Sequence, residues 1–173
     1  MDDQNEMKPG QGLKTMTEAL NEMKPVAYIF DIDGVLADNS PRQHLLQQEG
    51  KTKKACWQEF YDASGEDPVY PDTLELLKEL QSRYNKILLV TGRSEEYHHL
   101  LVPWLEKHGI KRDGLYARKR YDFRQDWEVK SEIYQNQIRP YYRVLGVFED
   151  RFECVKMWRS FGLTCYQPRE STY

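Results

Sequence analysis

The feature that most constrains the fold is a series of short, uninterrupted apolar runs, each strand-sized and each separated from the next by a segment of helical period. The first, Val26-Ala27-Tyr28-Ile29-Phe30, stops at acidic residues. A run without polar alternation marks a strand covered on both faces. Similar runs recur at Lys86–Val90, Gly114–Ala117, Val144–Phe148 and Leu163–Tyr166. Between them, residues 71–83 place Leu74, Leu77 and Leu80 on one helical face, and Ser94 followed by two glutamates makes a helix start. Residues 126–138 and 151–161 are two further helices, the last stopped by Gly162. Strands alternating with helices predict an α/β fold: a Rossmann-like, doubly wound parallel sheet with helices on both faces.

The stretch from Ser40 to Pro71 has no strand-like run. It holds two expected helices, about 41–49 and 54–63, and reads as a small helical lid spanning about 40–70, inserted after strand one over the sheet's carboxyl edge. Open α/β sheets bind ligands at that edge. Residues 1–24 are polar, broken by Pro9-Gly10, and read as a flexible tail before a domain at 25–173. Leu13, Met16, Leu20 and Met23 nevertheless share a helical face, which would dock a short helix on the domain.

Charge and cysteine content narrow the function classes. A formal charge of −3 argues against holding long duplexes by bulk electrostatics and leaves room for a local basic groove. The three cysteines are far apart and form no CxxC pair, as expected of free thiols in a reducing compartment. No apolar run approaches the roughly 20 residues that span a bilayer, and the acidic N-terminus lacks a signal-peptide core. A soluble cytoplasmic protein without a membrane partner is expected.

The chemistry lies at the strand ends. Strand one ends in Asp31 and Asp33, strand two in Thr91-Gly92-Arg93, and strand four in Glu149-Asp150; Lys130 sits on the helix before strand four. A parallel sheet turns these ends the same way, so distant residues converge on one cleft. Clustered carboxylates need compensating cations, and Mg2+ suits a site of one or two carboxylates plus a substrate phosphate. A hydroxyl (Thr91) followed by a glycine (Gly92) offers donors to phosphate oxygens. A carboxylate nucleophile, a second carboxyl, a metal and a phosphate cradle fit phosphoryl transfer through an aspartyl-phosphate.

The ordered set Asp31-x-Asp33-Gly34, Thr91-Gly92-Arg93, Lys130 and Glu149-Asp150 resembles the haloacid dehalogenase-like superfamily across the chain after residue 25. The segments Glu149-Asp150-Arg151, Val155–Arg159 and Gly162–Gln167, with Arg42 after the first motif and Asp126 four residues before Lys130, are similar to the 3′-phosphatase domain of bacteriophage polynucleotide kinase/phosphatase. Three departures stand out: Glu149-Asp150 replaces the usual Asp-Asp pair, Val35 stands where Thr is common, and the lid is longer. No GxxxxGK[ST] loop occurs in the 173 residues, so no kinase half is expected.

The resemblance implies a Mg2+-dependent phosphomonoesterase removing 3′-phosphates from nucleic-acid ends or, alternatively, acting on mononucleotides; a phosphate-binding module without catalysis is a third reading, against which Asp31, Asp33, Lys130 and Asp150 speak. It implies that Asp31 attacks phosphorus, and that Asp33 protonates the leaving oxygen and then activates water, its pKa raised by neighbouring carboxylates. Asp31, the Asp33 backbone carbonyl and Asp150 are expected to hold the metal, with Glu149 either a further contact or an acceptor behind them. Thr91, Gly92 and Lys130 are expected to grip the phosphate, and Arg42 and Arg93 to steady the substrate or the charge network, with Asp126 orienting an arginine. Arg118-Lys119-Arg120 and Arg124 read either as a track for a nucleic-acid backbone or as a solvated basic loop. Trp57, Phe60 and Tyr61 have the spacing to pack a lid helix downward, or to stack a base.

Overall fold

The computed structural model describes residues 15–16 and 21–171. Five strands, β1 (Val26–Phe30), β2 (Lys86–Ser94), β3 (Gly114–Arg118), β4 (Arg143–Phe148) and β5 (Cys165–Tyr166), form one sheet in the order β3-β2-β1-β4-β5. Every pairing is parallel. The helices are α1 (Lys53–Asp62), α2 (Pro71–Ser82), α3 (His98–Lys107), α4 (Asp126–Ile133) and α5 (Phe152–Ser160).

Alternation along β1 and β2 sends side chains into two cores. Ala27, Ile29, Leu88 and Val90 pack with Val129, Ile133, Val155 and Trp158 of α4 and α5. Phe30, Ile87 and Leu89 pack on the other face with Leu77 of α2 and Leu101, Trp104 and Leu105 of α3. This three-layer arrangement is the expected doubly wound sheet. Cys56, Cys154 and Cys165 are buried free thiols, and among the described residues no helix is long and apolar enough to cross a membrane.

Several boundaries differ from expectation. The segment expected as a helix at 41–49 is a 3-10 turn over Ser40–Gln47 whose one buried side chain is Arg42. With a single polar anchor and no apolar stripe, nothing rewards regular α turns there. The helix expected at 126–138 changes to a π turn over Tyr134–Ile138, with Arg139 N donating to Tyr134 O at 2.8 Å. Of the expected N-terminal stripe, Met16 and Met23 are 80% and 81% exposed, and Leu13 and Leu20 lie outside the described residues.

Two backbone links fix the lid's stem. Asp38 N donates to Pro68 O at 2.8 Å, and Tyr70 N to Leu36 O at 2.9 Å, so the insertion leaves and returns at one point beside β1. At the far end of the sheet, Gly162 stops α5 at φ +77, with no described atom within 4 Å of where a Cβ would stand. Gly162→Ala therefore meets backbone strain alone and is expected to lower unfolding free energy by about 1 kcal/mol. A reduced urea midpoint at unchanged slope is the expected reading; an unchanged midpoint would remove the left-handed stop from the account of this helix.

Candidate active site

The chain order reverses between β1 and β4: β1 leads out to β2 and β3, and the chain then returns to the other side of β1. Such a switch point opens a crevice at the carboxyl ends of the two strands. The ends are locked together by the stacked rings of Phe30 and Phe148, 4.3 Å apart, and by Asp31 N donating to Phe148 O at 2.9 Å. Asp31 and Glu149-Asp150 therefore leave adjacent strands side by side.

Lys130 reaches this crevice from α4, whose N-terminal capping box on Gln125 and Glu128 fixes where the helix begins. Its Nζ donates to Asp31 Oδ1 and Glu149 Oε2, both at 2.8 Å, and lies 3.2 Å from Asp126 Oδ2. All four side chains are buried. Asp126 has further cations at 3.4 Å (Arg118) and 3.6 Å (Arg151). Carboxylate oxygens of Asp31, Glu149 and Asp150 come within 4.8 Å of one another, and the Lys130 ammonium pairs with Asp31 and Glu149.

The cost of that imbalance shows in the titration. Burial pushes the Asp31 carboxyl well above its ordinary range, against the lowering by Lys130, and Glu149, Asp150 and Asp126 add to the rise. Burial and then Glu149 push Asp150 up to about 8. Asp150 Oδ1 is buried without a hydrogen-bond partner among the described residues. Three carboxylates facing one ammonium, with an orphaned oxygen among them, fit a hard divalent cation. Asp31 and Asp150 are the open candidates. Glu149 is more fully occupied, accepting also from Trp158 Nε1 at 3.2 Å.

Asp33 behaves differently from expectation. Its carboxylate accepts from Arg93 Nε at 2.6 Å and Nη2 at 2.7 Å, and from Arg42 Nη2. Burial alone would raise its pKa, but the guanidiniums of Arg93 and Arg42 hold it far below the ordinary carboxylate range. Neighbouring carboxylates do not raise it, because the two arginines stand closer. Asp67, which the sequence reading did not single out, closes this network: it accepts from Arg42 Nε at 2.8 Å and Nη2 at 2.7 Å. No periodicity or motif marks Asp67; only the fold of the lid carries it to Arg42.

Glycines make room for these contacts. Gly34 has φ +84, and a Cβ there would collide with the Asp150 carboxylate. A Cβ on Gly92 would collide with Asp126. Thr91 is fully buried behind them, its Oγ1 accepting from Arg93 N at 3.1 Å.

A cavity of about 30 Å³ opens over the cluster, lined by Asp31, Asp33, Gly92, Arg93, Arg118, Asp126 and Arg151 and roofed by Trp57, Phe60 and Tyr61 of α1. The expected downward packing holds for Phe60, which is buried with the Arg42 guanidinium 3.9 Å from its ring. Trp57 and Tyr61 are half-buried and stack on each other at 5.6 Å. A larger open cleft beside Glu106, Ile110, Arg112 and Leu115 holds none of these groups.

The sequence model of the family described as polynucleotide kinase PNKP phosphatase domain matches residues 25–173. A protein of Autographa californica nuclear polyhedrosis virus, named as a bifunctional polynucleotide kinase/RNA ligase, is 30% identical over 133 residues, covering 74% of this chain and 19% of that protein. The chain thus spans about a fifth of that curated relative's length. Among solved structures, a chain of a Pnkp1/Rnl/Hen1 complex is 26% identical at TM-score 0.74, over 88% of this chain and 48% of that one. The class C acid phosphatase of Bacillus anthracis with tungstate bound shares the fold at 16% identity and TM-score 0.66, over 91% of this chain and 73% of that one.

The raised Asp150 carboxyl sets a pH-dependent test. A carboxyl raised on folding keeps its proton where the unfolded chain has lost it, so its contribution to stability falls as pH climbs from the unfolded value of 3.8 toward about 8. A divalent cation held by the ionised carboxylates would offset that loss. At roughly ten times its Kd, Mg2+ is expected to raise Tm by about 3–6 °C at high pH, and by less near pH 5.5. Thermal melts with and without Mg2+ at both pH values check this; no rise at pH 8.5 would deny these carboxylates the ion.

Proposed function

The chain belongs to the family of polynucleotide kinase PNKP phosphatase domains and is a phosphomonoester hydrolase of the haloacid dehalogenase-like fold, and from that premise we propose that it removes 3′-phosphates from nucleic-acid ends. The observation that carries the reading is the buried Lys130–Asp31 contact beneath a cavity walled by Gly92 and Arg93. It joins a carboxylate nucleophile to the cation that steadies its charge, at the place where a phosphate would sit.

Lys130 holds Asp31 Oδ1, which leaves Oδ2 as the oxygen that attacks phosphorus and forms the aspartyl-phosphate. The Gly92 backbone N–H, the Thr91 hydroxyl and Lys130 grip the phosphate oxygens. Asp31, Asp150 and the backbone carbonyl of Asp33 would hold Mg2+, which when bound would neutralise charge on the transferring phosphoryl group. Glu149 acts behind them, orienting Lys130.

Asp33 delivers the proton to the leaving oxygen and takes one from the water that cleaves the aspartyl-phosphate. Held between Arg93 and Arg42 it is ionised, so it serves as acid only when Arg93, on the cavity wall, turns to the substrate's phosphate and the carboxylate takes a proton from solvent. Phosphate oxygens compete well for Arg93, because a planar guanidinium fork matches phosphate geometry. Asp67 keeps Arg42 in place meanwhile. Asp126 orients Arg118 and Arg151 at the cavity wall.

A second reading, hydrolysis of mononucleotides, draws on the aromatic roof of α1, since a covered cavity suits small enclosed substrates. Purified protein with Mg2+, offered a 3′-phosphorylated oligonucleotide and separately 3′- and 5′-mononucleotides, distinguishes the two. Preference for the oligonucleotide by orders of magnitude is expected; release from mononucleotides alone would reject the first reading. Asp31→Asn is expected to abolish turnover while the far-UV spectrum and Tm stay folded. Retained activity in that variant would overturn the mechanism.

A further inference from the structure

Four exposed aromatic side chains stand on the segments that leave the carboxyl edge of the sheet, each within a few residues of a cavity residue. Trp127, 42% exposed, follows the cavity residue Asp126, and Phe152, 64% exposed, follows the cavity residue Arg151. Tyr121 and Phe123, 73% and 81% exposed, lie in the loop after β3. Arg118, itself on the cavity wall, fastens that loop: Nε donates to Gly92 O at 2.8 Å, and Nη1 to the carbonyls of Asp122 at 3.2 Å and Arg124 at 2.7 Å. Tyr121 is held at φ +65, a left-handed conformation that bulky residues seldom adopt and that persists only where the surroundings enforce it. The loop is therefore pre-shaped, and it presents its rings to solvent.

The cations of the same loop are already engaged. Lys119 pairs with Glu95 at 3.2 Å, Arg120 with Glu96 at 3.1 Å, and Arg124 with Asp122 and Glu132, both at 2.6 Å. A backbone track would have to break these pairs, so the basic residues offer a phosphate chain less than their number suggests. One face of Tyr121 lies under the Arg120 guanidinium at 4.8 Å and one face of Phe152 under the Lys156 ammonium at 5.1 Å, which leaves their other faces and the Phe123 and Trp127 rings to offer apolar surface to solvent.

Resting on the nucleic-acid reading above, we infer that Tyr121, Phe123, Trp127 and Phe152 form a stacking surface for the unpaired bases of a single strand whose phosphorylated end occupies the cavity. The occupant is a continuation of the ester in the cavity, because Asp126 and Arg151, which line it, directly precede Trp127 and Phe152, and Arg118, which also lines it, fastens the loop of Tyr121 and Phe123. It must also present flat π faces, which a duplex hides and a single strand exposes. Stacking tolerates any base and releases few counterions, so its salt dependence is shallow beside that of phosphate contacts.

Steady-state kinetics on the full chain with Mg2+ test this, using a 3′-phosphorylated single-stranded oligonucleotide, the same strand with abasic sites at the two positions preceding its last nucleotide, a 3′-mononucleotide, and an aryl phosphate. The double variant Tyr121→Ala/Phe123→Ala is expected to raise the oligonucleotide KM about 10-fold and to leave aryl phosphate hydrolysis unchanged. The abasic strand should raise the wild-type KM by a similar factor and the variant's KM little. Between about 50 and 200 mM salt the wild-type oligonucleotide KM should change by no more than about threefold.

An oligonucleotide KM that is unchanged in a variant with intact aryl phosphate hydrolysis would overturn the stacking surface alone and leave the rings to a protein partner. A wild type indifferent to the abasic sites would do the same. A wild type that hydrolyses mononucleotides and not the oligonucleotide would overturn both the nucleic-acid reading and this one.

Discussion

Everything at this site depends on one buried ammonium standing among too many carboxylates. Lys130 meets Asp31 and Glu149 at 2.8 Å each and lies near Asp126, all out of contact with water. Removing such charges from water is costly, and mutual attraction repays it only when partners are complete. Here they are incomplete on the side of Asp31 and Asp150, whose carboxyls burial drives upward. The polypeptide has built a place that an added cation would relieve.

The second charge cluster is balanced in charge, and it comes from a different part of the fold. Asp33 and Asp67 face Arg42 and Arg93, two carboxylates against two guanidiniums. Arg93 arrives on β2, but Arg42 and Asp67 belong to the insertion that leaves and rejoins beside β1. The lid is thus more than a cover. It supplies half of the network that sets the ionisation of Asp33, so lid position and the charge on Asp33 are physically coupled through Arg42. Trp57 and Tyr61 on the same insertion narrow the cavity above it.

Much of the architecture was legible because strand and helix signals repeat at their own periods. The five apolar runs became the five strands, and the Leu74, Leu77, Leu80 stripe packs its helix on the core. Local rules failed where the deciding contact was distant or polar. Ser40–Gln47 is a 3-10 turn because a guanidinium, not an apolar stripe, anchors it. The π turn at Tyr134–Ile138 follows from packing at the end of α4, where Tyr134 and Ile138 are both buried. Asp67 carries no local mark at all, and the pairing of Lys119, Arg120 and Arg124 with nearby acids is invisible in a basic-looking loop.

The sequence by itself determined the doubly wound sheet and the set of strand-end residues at its crevice, because a strand run fixes which residues leave its carboxyl end and a parallel sheet turns those ends to one side. It also determined the glycine after Asp33, whose left-handed backbone lets Asp150 approach. Only the tertiary structure decided how charge is shared among those residues. Ionisation depends on burial and on distances of a few ångströms between groups far apart in the chain. Those distances are set by the lid's fold and by the β1–β4 junction, and neither has a period in the sequence. Asp31 therefore met Lys130 as the motif order suggested, while Asp33 met two arginines that hold it ionised.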